Sequence, residues 1–244
     1  MILSLALLCC LTPCARAEET RTAYSNPDVP PPFAPEHEPA GDEYVTDAGF
    51  IGDSMMEYVE LYDLIPTAHY VWKIGMSPGS VGHKDFRVKG SDQRLSGYEY
   101  AASYAPRKLY VWLGANGLDT STSSAVLANY ENLADRLVEW FPDALIYVIS
   151  PPPTTYARMT EQDHVPVKRY ILFEEALREL AARRHFYYID MYHLVANEEG
   201  YLPNGYSMGD GYHLNEKALT IMTDYIRTHT VPDPAGADTE GEAQ

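Results

Sequence analysis

Apolar and polar positions along the chain switch between two periods. Five short runs, Ala48–Gly52, His69–Ile74, Lys108–Leu113, Ala144–Ile149 and Phe186–Ile189, are rich in β-branched and aromatic residues and bounded by turn formers. That is the signature of strands buried on both faces. Between and after them the apolar residues recur at helical spacing: Val126, Tyr130, Leu133 and Leu137; Tyr170, Phe173, Leu177 and Leu180; and Leu214, Ala218, Ile221, Met222 and Tyr225. Ser96-Gly-Tyr-Glu99 has the form of a capping box opening one more helix. Strands alternating with helices imply right-handed crossovers, hence a three-layer α/β/α fold around a parallel sheet of about five strands. In such folds function sits at the carboxyl ends of the strands, near the point where strand order reverses.

The flanks read differently. Residues 18–43 include the stretch Asn26–Pro39, whose proline density predicts an extended linker. The tail Val231–Gln244 is acidic, poor in large apolar groups and predicted to be disordered. The folded domain is expected over 44–230, without internal repeats. Three long connections, Met76–Gln93, Pro151–Val165 and Ala196–Gly209, have the length of binding elements or lids.

At the start, Met1–Thr12 is an apolar run too short to span a bilayer, followed by a small-x-small site at Ala15-Arg16-Ala17. Residues 1–17 are therefore expected to be a signal peptide, although a basic start is missing. Lipidation at Cys14 is the alternative, with Pro13 a poor neighbour for it; a buried N-terminal strand is another. All three cysteines, Cys9, Cys10 and Cys14, fall in this segment, leaving a processed chain no thiol and no disulfide. The expected location is extracytoplasmic, secreted or at the envelope, with no integral membrane span in the processed chain.

A formal net charge of -17 argues against binding nucleic acid or anionic lipid through electrostatics. It suits an uncharged substrate better than an anionic one. Twenty tyrosines stand against six phenylalanines; most are expected in packing, some in a sugar-binding cleft. Trp72, Trp112 and Trp140 read as core residues.

Chemistry gathers at the strand ends. The first strand runs into Gly52-Asp53-Ser54 and a helical stretch, which places the Ser54 hydroxyl at the sheet edge and its N–H at a helix N-terminus. The second strand leads to Gly75 and the third to Gly114-Ala-Asn116. A serine flanked by a glycine N–H and an asparagine amide is what acyl transfer needs, because the attacked carbonyl oxygen becomes an oxyanion that must find fixed donors. A serine hydroxyl also needs a base held in one tautomer. Asp210-Gly-Tyr-His213, just before the last helix, supplies both partners three residues apart. Asp190-Met-Tyr-His193 has the same spacing but ends the fifth strand and lacks that helix; it is read as a decoy.

These four blocks, in order from Gly52 to His213, resemble those of the SGNH/GDSL hydrolase superfamily. The resemblance implies a flavodoxin-like fold, esterase chemistry, and neither metal nor other cofactor. It assigns Ser54 as nucleophile, Asp210 and His213 as its partners, and Ser54 N–H, Gly75 and Asn116 as oxyanion donors. The third block departs from the family pattern, with Gly117 after Asn116 where an Asp often stands, and the second lacks an Asn before Gly75. Both departures blur the substrate more than the catalytic set. Tyr156, Arg158, Tyr201 and Tyr206, on the long connections, are candidate substrate contacts.

The expectation is hydrolysis of a small acyl ester, with acetyl on a carbohydrate as the leading substrate. Acyl transfer to a sugar, lysophospholipase or thioesterase specificity, and a non-catalytic carbohydrate-binding module are the alternatives. Oligomeric state is left open.

Overall fold

A computed structural model describes residues 20–160 and 167–233. The segment expected to be a signal peptide, residues 161–166 of the second long connection and residues 234–244 of the tail lie outside the described residues.

The core is a five-stranded parallel sheet made of β1 (Ala48–Gly52), β2 (His69–Trp72), β5 (Lys108–Trp112), β6 (Leu145–Ile149) and β7 (Tyr187–Ile189). Its order is β2-β1-β5-β6-β7, the flavodoxin-like arrangement with strand order reversing between β1 and β5. A hairpin of β3 (Asp85–Arg87) and β4 (Arg94–Ser96) is built within and just beyond the first long connection. α2 (Gly97–Ala102), α4 (Ser123–Trp140) and α6 (Val167–Arg184) cover one face of the sheet, packing on Ile51, Leu109, Val111, Ile146 and Val148. α1 (Ser54–Leu61), α7 (Met191–Val195) and α8 (Glu216–Thr228) contribute to the layer on the other face, over Phe50, Tyr110, Trp112, Tyr147 and Ile189. Short helices α3 (Ala115–Thr120) and α5 (Tyr156–Thr160) follow β5 and β6 at the carboxyl edge. The predicted capping box at Ser96 and Glu99 is formed in both directions.

The tyrosines have a structural use that depends on sheet register. Tyr70, Phe50, Tyr110, Tyr147 and Tyr187 are paired across all five strands. Their rings form a continuous row with centroids 5.5, 4.7, 4.5 and 5.1 Å apart. Aromatic pairs of this kind are worth about 0.5–1.5 kcal/mol each beyond the area they bury. Tyrosine rather than phenylalanine is used because the ring tips have partners. Tyr70 donates to the Ile65 carbonyl at 3.0 Å, Tyr187 donates to the Val29 carbonyl at 2.8 Å, and Tyr147 shares a 2.8 Å bond with Tyr44.

Residues 20–43 do not form the expected linker; they are a strap packed on the domain. Ala23 is buried, its N–H donates to the Arg184 carbonyl, and the buried Arg184 guanidinium returns a bond to the Arg21 carbonyl. The Tyr188 N–H on the open edge of β7 donates to the Pro32 carbonyl at 2.7 Å, so the strap covers an edge that would otherwise be free to pair. The strap is not uniformly extended, since the chain turns at 27–29 and 31–32. The tail also starts inside the fold: Val231 is fully buried and Asp233 pairs with Arg107 at 2.8 Å. Among the described residues no helix is long and apolar enough to cross a membrane.

Candidate active site

The strand-to-helix turn after β1 builds one half of the site. Gly52 lets α1 approach the strand closely, since a Cβ there would lie 2.8 Å from that of Met56. Asp53 caps α1, its Oδ1 accepting the Met55 N–H at 3.0 Å. Ser54 is thus the first helical residue, its hydroxyl beside the unsatisfied N–H groups of a helix start. Met55 and Met56 pack in the core beneath it.

The other half is the turn before α8. Ser207 Oγ accepts from the N–H groups of Gly209 and Gly211, and Ser207 bridges to Leu214. Within that turn Asp210 Oδ1 accepts from the N–H groups of Tyr212 and His213, both at 2.9 Å, while Oδ2 lies 2.5 Å from His213 Nδ1. His213 Nε2 is 3.0 Å from Ser54 Oγ. The rings of Tyr58 and Tyr212 meet the imidazole edge-on, with centroids 5.5 and 5.0 Å away. Burial acts to raise the Asp210 carboxyl, but its bonds to His213 and to the two N–H groups outweigh this and hold it below the usual carboxylate range. An ionised carboxylate only accepts, so Nδ1 carries a proton and Nε2 is the ring nitrogen that faces Ser54.

The predicted oxyanion donors are arranged less simply. Gly75 lies in the exposed turn after β2 with φ +70°. Asn116, at the start of α3, does not direct its amide only towards the serine: Nδ2 donates to Asp53 Oδ2 at 2.8 Å and to the Met76 carbonyl at 3.3 Å. The cause is Asp53, a carboxylate only 2% exposed that needs donors on both oxygens. Burial pushes its carboxyl up to about 6, a rise limited by the Met55 N–H, the Asn116 amide and the charge of His213.

A pH prediction follows. The native state binds this proton more tightly than an unfolded aspartate does, so the stability it contributes is present below pH 4 and is lost as pH rises towards and past 6. The loss is about 3 kcal/mol for a two-unit shift. Asp53→Asn removes that titration. In urea unfolding at pH 4.5 and pH 8, the variant should gain on wild type as pH rises, whatever its absolute stability; a difference independent of pH contradicts the assignment. Because an amide cannot accept a bond from Asn116 through its own nitrogen, turnover should fall in the same variant.

The second Asp-x-x-His pair is also formed. His193 Nδ1 is 2.9 Å from Asp190 Oδ2 and 3.8 Å from the buried Glu174 Oε2, and the ligand-type atoms of the three lie within 4.8 Å of one another. Among the described residues no serine hydroxyl bonds to His193, so local geometry repeats while the nucleophile does not. Of the candidate substrate contacts, Tyr156 is 61% exposed and meets Tyr201 edge-on at 5.2 Å. Arg158 packs behind Gly211, and the Tyr206 ring carries Lys217 Nζ at 5.1 Å. None of the four bonds to Ser54 or His213. Sequence reasoning passed over Asp53, Ser207 and Tyr58. Ser207 has a local signal, a hydroxyl two residues before a glycine in a turn, and Asp53 has another, an Asp directly before a helical stretch.

The sequence model of the GDSL-like Lipase/Acylhydrolase family matches residues 50–219, a span that contains both halves of the site. A search of curated proteins gives no match. Among solved structures, the chain is similar to a provisionally assigned platelet activating factor from Streptococcus pneumonia, with TM-score 0.58, 18% identity, and coverage of 72% of this chain and 80% of that one. A provisionally assigned acylhydrolase from Bacteroides fragilis gives TM-score 0.57 and 11% identity over 78% and 88% of the two chains. A GDSL-like lipase from Bacteroides thetaiotaomicron gives 0.55 and 14% over 72% and 83%. At these identities the likeness is one of fold.

Proposed function

The chain belongs to the GDSL-like lipase/acylhydrolase family, and on that premise we propose that it is an exported serine esterase that removes small acyl groups, acetyl foremost, from an uncharged alcohol such as a carbohydrate. The observation that carries the reading is the unbroken chain of bonds from Ser54 Oγ to His213 Nε2 at 3.0 Å and from His213 Nδ1 to Asp210 at 2.5 Å.

In this mechanism His213 Nε2 takes the hydroxyl proton as Ser54 Oγ attacks the ester carbonyl carbon. Asp210 steadies the imidazolium through Nδ1. The tetrahedral oxyanion is held by the Ser54 N–H and Gly75 N–H. Asn116 joins them by exchanging its longer bond, to the Met76 carbonyl, for one to the oxyanion. Collapse breaks the ester C–O bond, the departing alcohol takes the proton from His213, and the acyl group remains on Ser54. Water, deprotonated by His213, repeats the attack and releases the acid. The net charge of -17 favours a neutral substrate, and an exported location rests on the apolar N-terminal run.

The test is a series of p-nitrophenyl esters from acetyl to dodecanoyl, run with acetylated xylan and acetylated peptidoglycan. The reading expects kcat/KM to be highest for acetyl and to fall with chain length. A maximum at long chains would overturn the short-acyl assignment. Ester formation on an added sugar in place of acid release would assign transfer.

A further inference from the structure

Trp140, expected in the core, is 40% exposed at the end of α4, where it borders a groove of about 1060 Å³ between α4 and the segment Pro78–Tyr98. The groove lies along a side layer of the fold, whereas Ser54 and His213 lie at the carboxyl edge of the sheet. Its floor is aromatic. The Tyr98 and Trp140 rings stack, within 11° of parallel and with centroids 6.4 Å apart. The Tyr98 ring is backed by Gly82, where a Cβ would be 3.0 Å from it.

The wall is polar and most of its charges are paired. Arg183 and Arg184 pair with Glu131, Arg184 also with Asp135, and Arg136 with Glu139, at 2.7–3.2 Å. These charges largely answer one another, with Arg21 lining the groove outside these pairs. Asn129 and Asn132 stand exposed on the same helix; their side-chain amides take no hydrogen bond from the described residues, so each presents a donor and an acceptor. From Asn129 to Trp140 the α4 face extends about 16 Å, the length of an extended ligand rather than a compact one.

We propose that this groove is a second binding site, separate from the catalytic one, for a neutral oligosaccharide chain. Sugar rings present flat C–H faces that lie against aromatic planes, and hydroxyls that both donate and accept, matching the Asn129 and Asn132 amides. The volume is at the upper end of the usual range for ligand sites. Binding here would hold a polymeric substrate on the protein between catalytic events. The site is independent of the esterase reading, because binding requires no chemistry at Ser54.

The test uses Ser54→Ala protein titrated with xylohexaose, cellohexaose and chitohexaose, followed by calorimetry and tryptophan fluorescence. At least one should bind and perturb the fluorescence. Trp140→Ala added to that background should weaken binding by about tenfold or more, as loss of a stacking anchor does. Asn132→Ala, on an exposed position, should weaken it several-fold and keeps the test valid if the tryptophan variant folds poorly. In otherwise native enzyme neither change should alter p-nitrophenyl acetate turnover. Failure of all three sugars to bind at millimolar concentration, or binding equally tight in both groove variants, overturns the proposal while leaving the esterase reading standing.

Discussion

Ser54→Ala should lower kcat/KM for p-nitrophenyl acetate by at least about 10⁴-fold while leaving the fold intact. The magnitude is that of losing the nucleophile in a triad whose members act as a unit. The intact fold follows from who caps the helix: Asp53, not Ser54, accepts the Met55 N–H of α1, and alanine is well tolerated at the first helical position. The melting temperature should stay within about 2 °C of wild type, below the shift that 1 kcal/mol produces in a domain of this size. His213→Ala should lose a similar factor, and combining the two should cost little more than either alone. Turnover retained by Ser54→Ala would remove the serine mechanism altogether.

The second large effect is expected at Gly211, between the two members of the Asp–His pair. Its φ is +75°, and a Cβ there would lie 2.5 Å from Thr155 Oγ1 and 2.9 Å from Arg158 Cβ. Its N–H donates to Ser207 at 2.9 Å and its carbonyl accepts from the Thr155 N–H at 3.0 Å, so the turn cannot swing away freely. Gly211→Ala should therefore combine left-handed backbone strain with a steric clash, costing about 2–4 kcal/mol. Because Asp210 and His213 hang on the same turn, a displacement of about 1 Å should also reduce kcat/KM by about 10²-fold. Gly209, at φ +98° with nothing within 4 Å of its Cβ position, is the control: alanine there should bring strain without the clash and cost about 1 kcal/mol. Urea unfolding of both variants alongside esterase assays separates the two contributions. Equal losses at the two positions would mean that the contact with Thr155 has no weight.

What the sequence revealed depended on how local each cause was. β1, β5 and β6 are legible because short runs rich in β-branched and aromatic residues between turn formers suit strands buried on both faces, and α4 and α6 because their buried residues repeat at helical spacing. The Ser54 and Asp210–His213 blocks were legible because their order places each at a strand end or before the last helix. The β3–β4 hairpin was not, since three residues such as Asp85-Phe-Arg87 are too few to establish a period. The strap was misjudged because its burial is decided by Arg184 and Tyr188, more than 140 residues away. The aromatic row exists only once strand register aligns Tyr70, Phe50, Tyr110, Tyr147 and Tyr187. The Asn116 amide was assigned to the oxyanion from its place after β5, whereas its partner Asp53 is 63 positions earlier in the chain. Local spacing alone could not separate Asp190–His193 from Asp210–His213, since both pairs form the same bond and only one of them meets a serine.

The proposed serine mechanism depends on an imidazole that activates one particular hydroxyl. The direct measurement is the rate and site of covalent labelling by a fluorophosphonate, read by intact-mass spectrometry and peptide mapping. A single adduct on Ser54, absent from Ser54→Ala and slowed by about 10³-fold or more in His213→Ala, is the expected result. An adduct on a different residue, or labelling of Ser54 at an unchanged rate without His213, would contradict it.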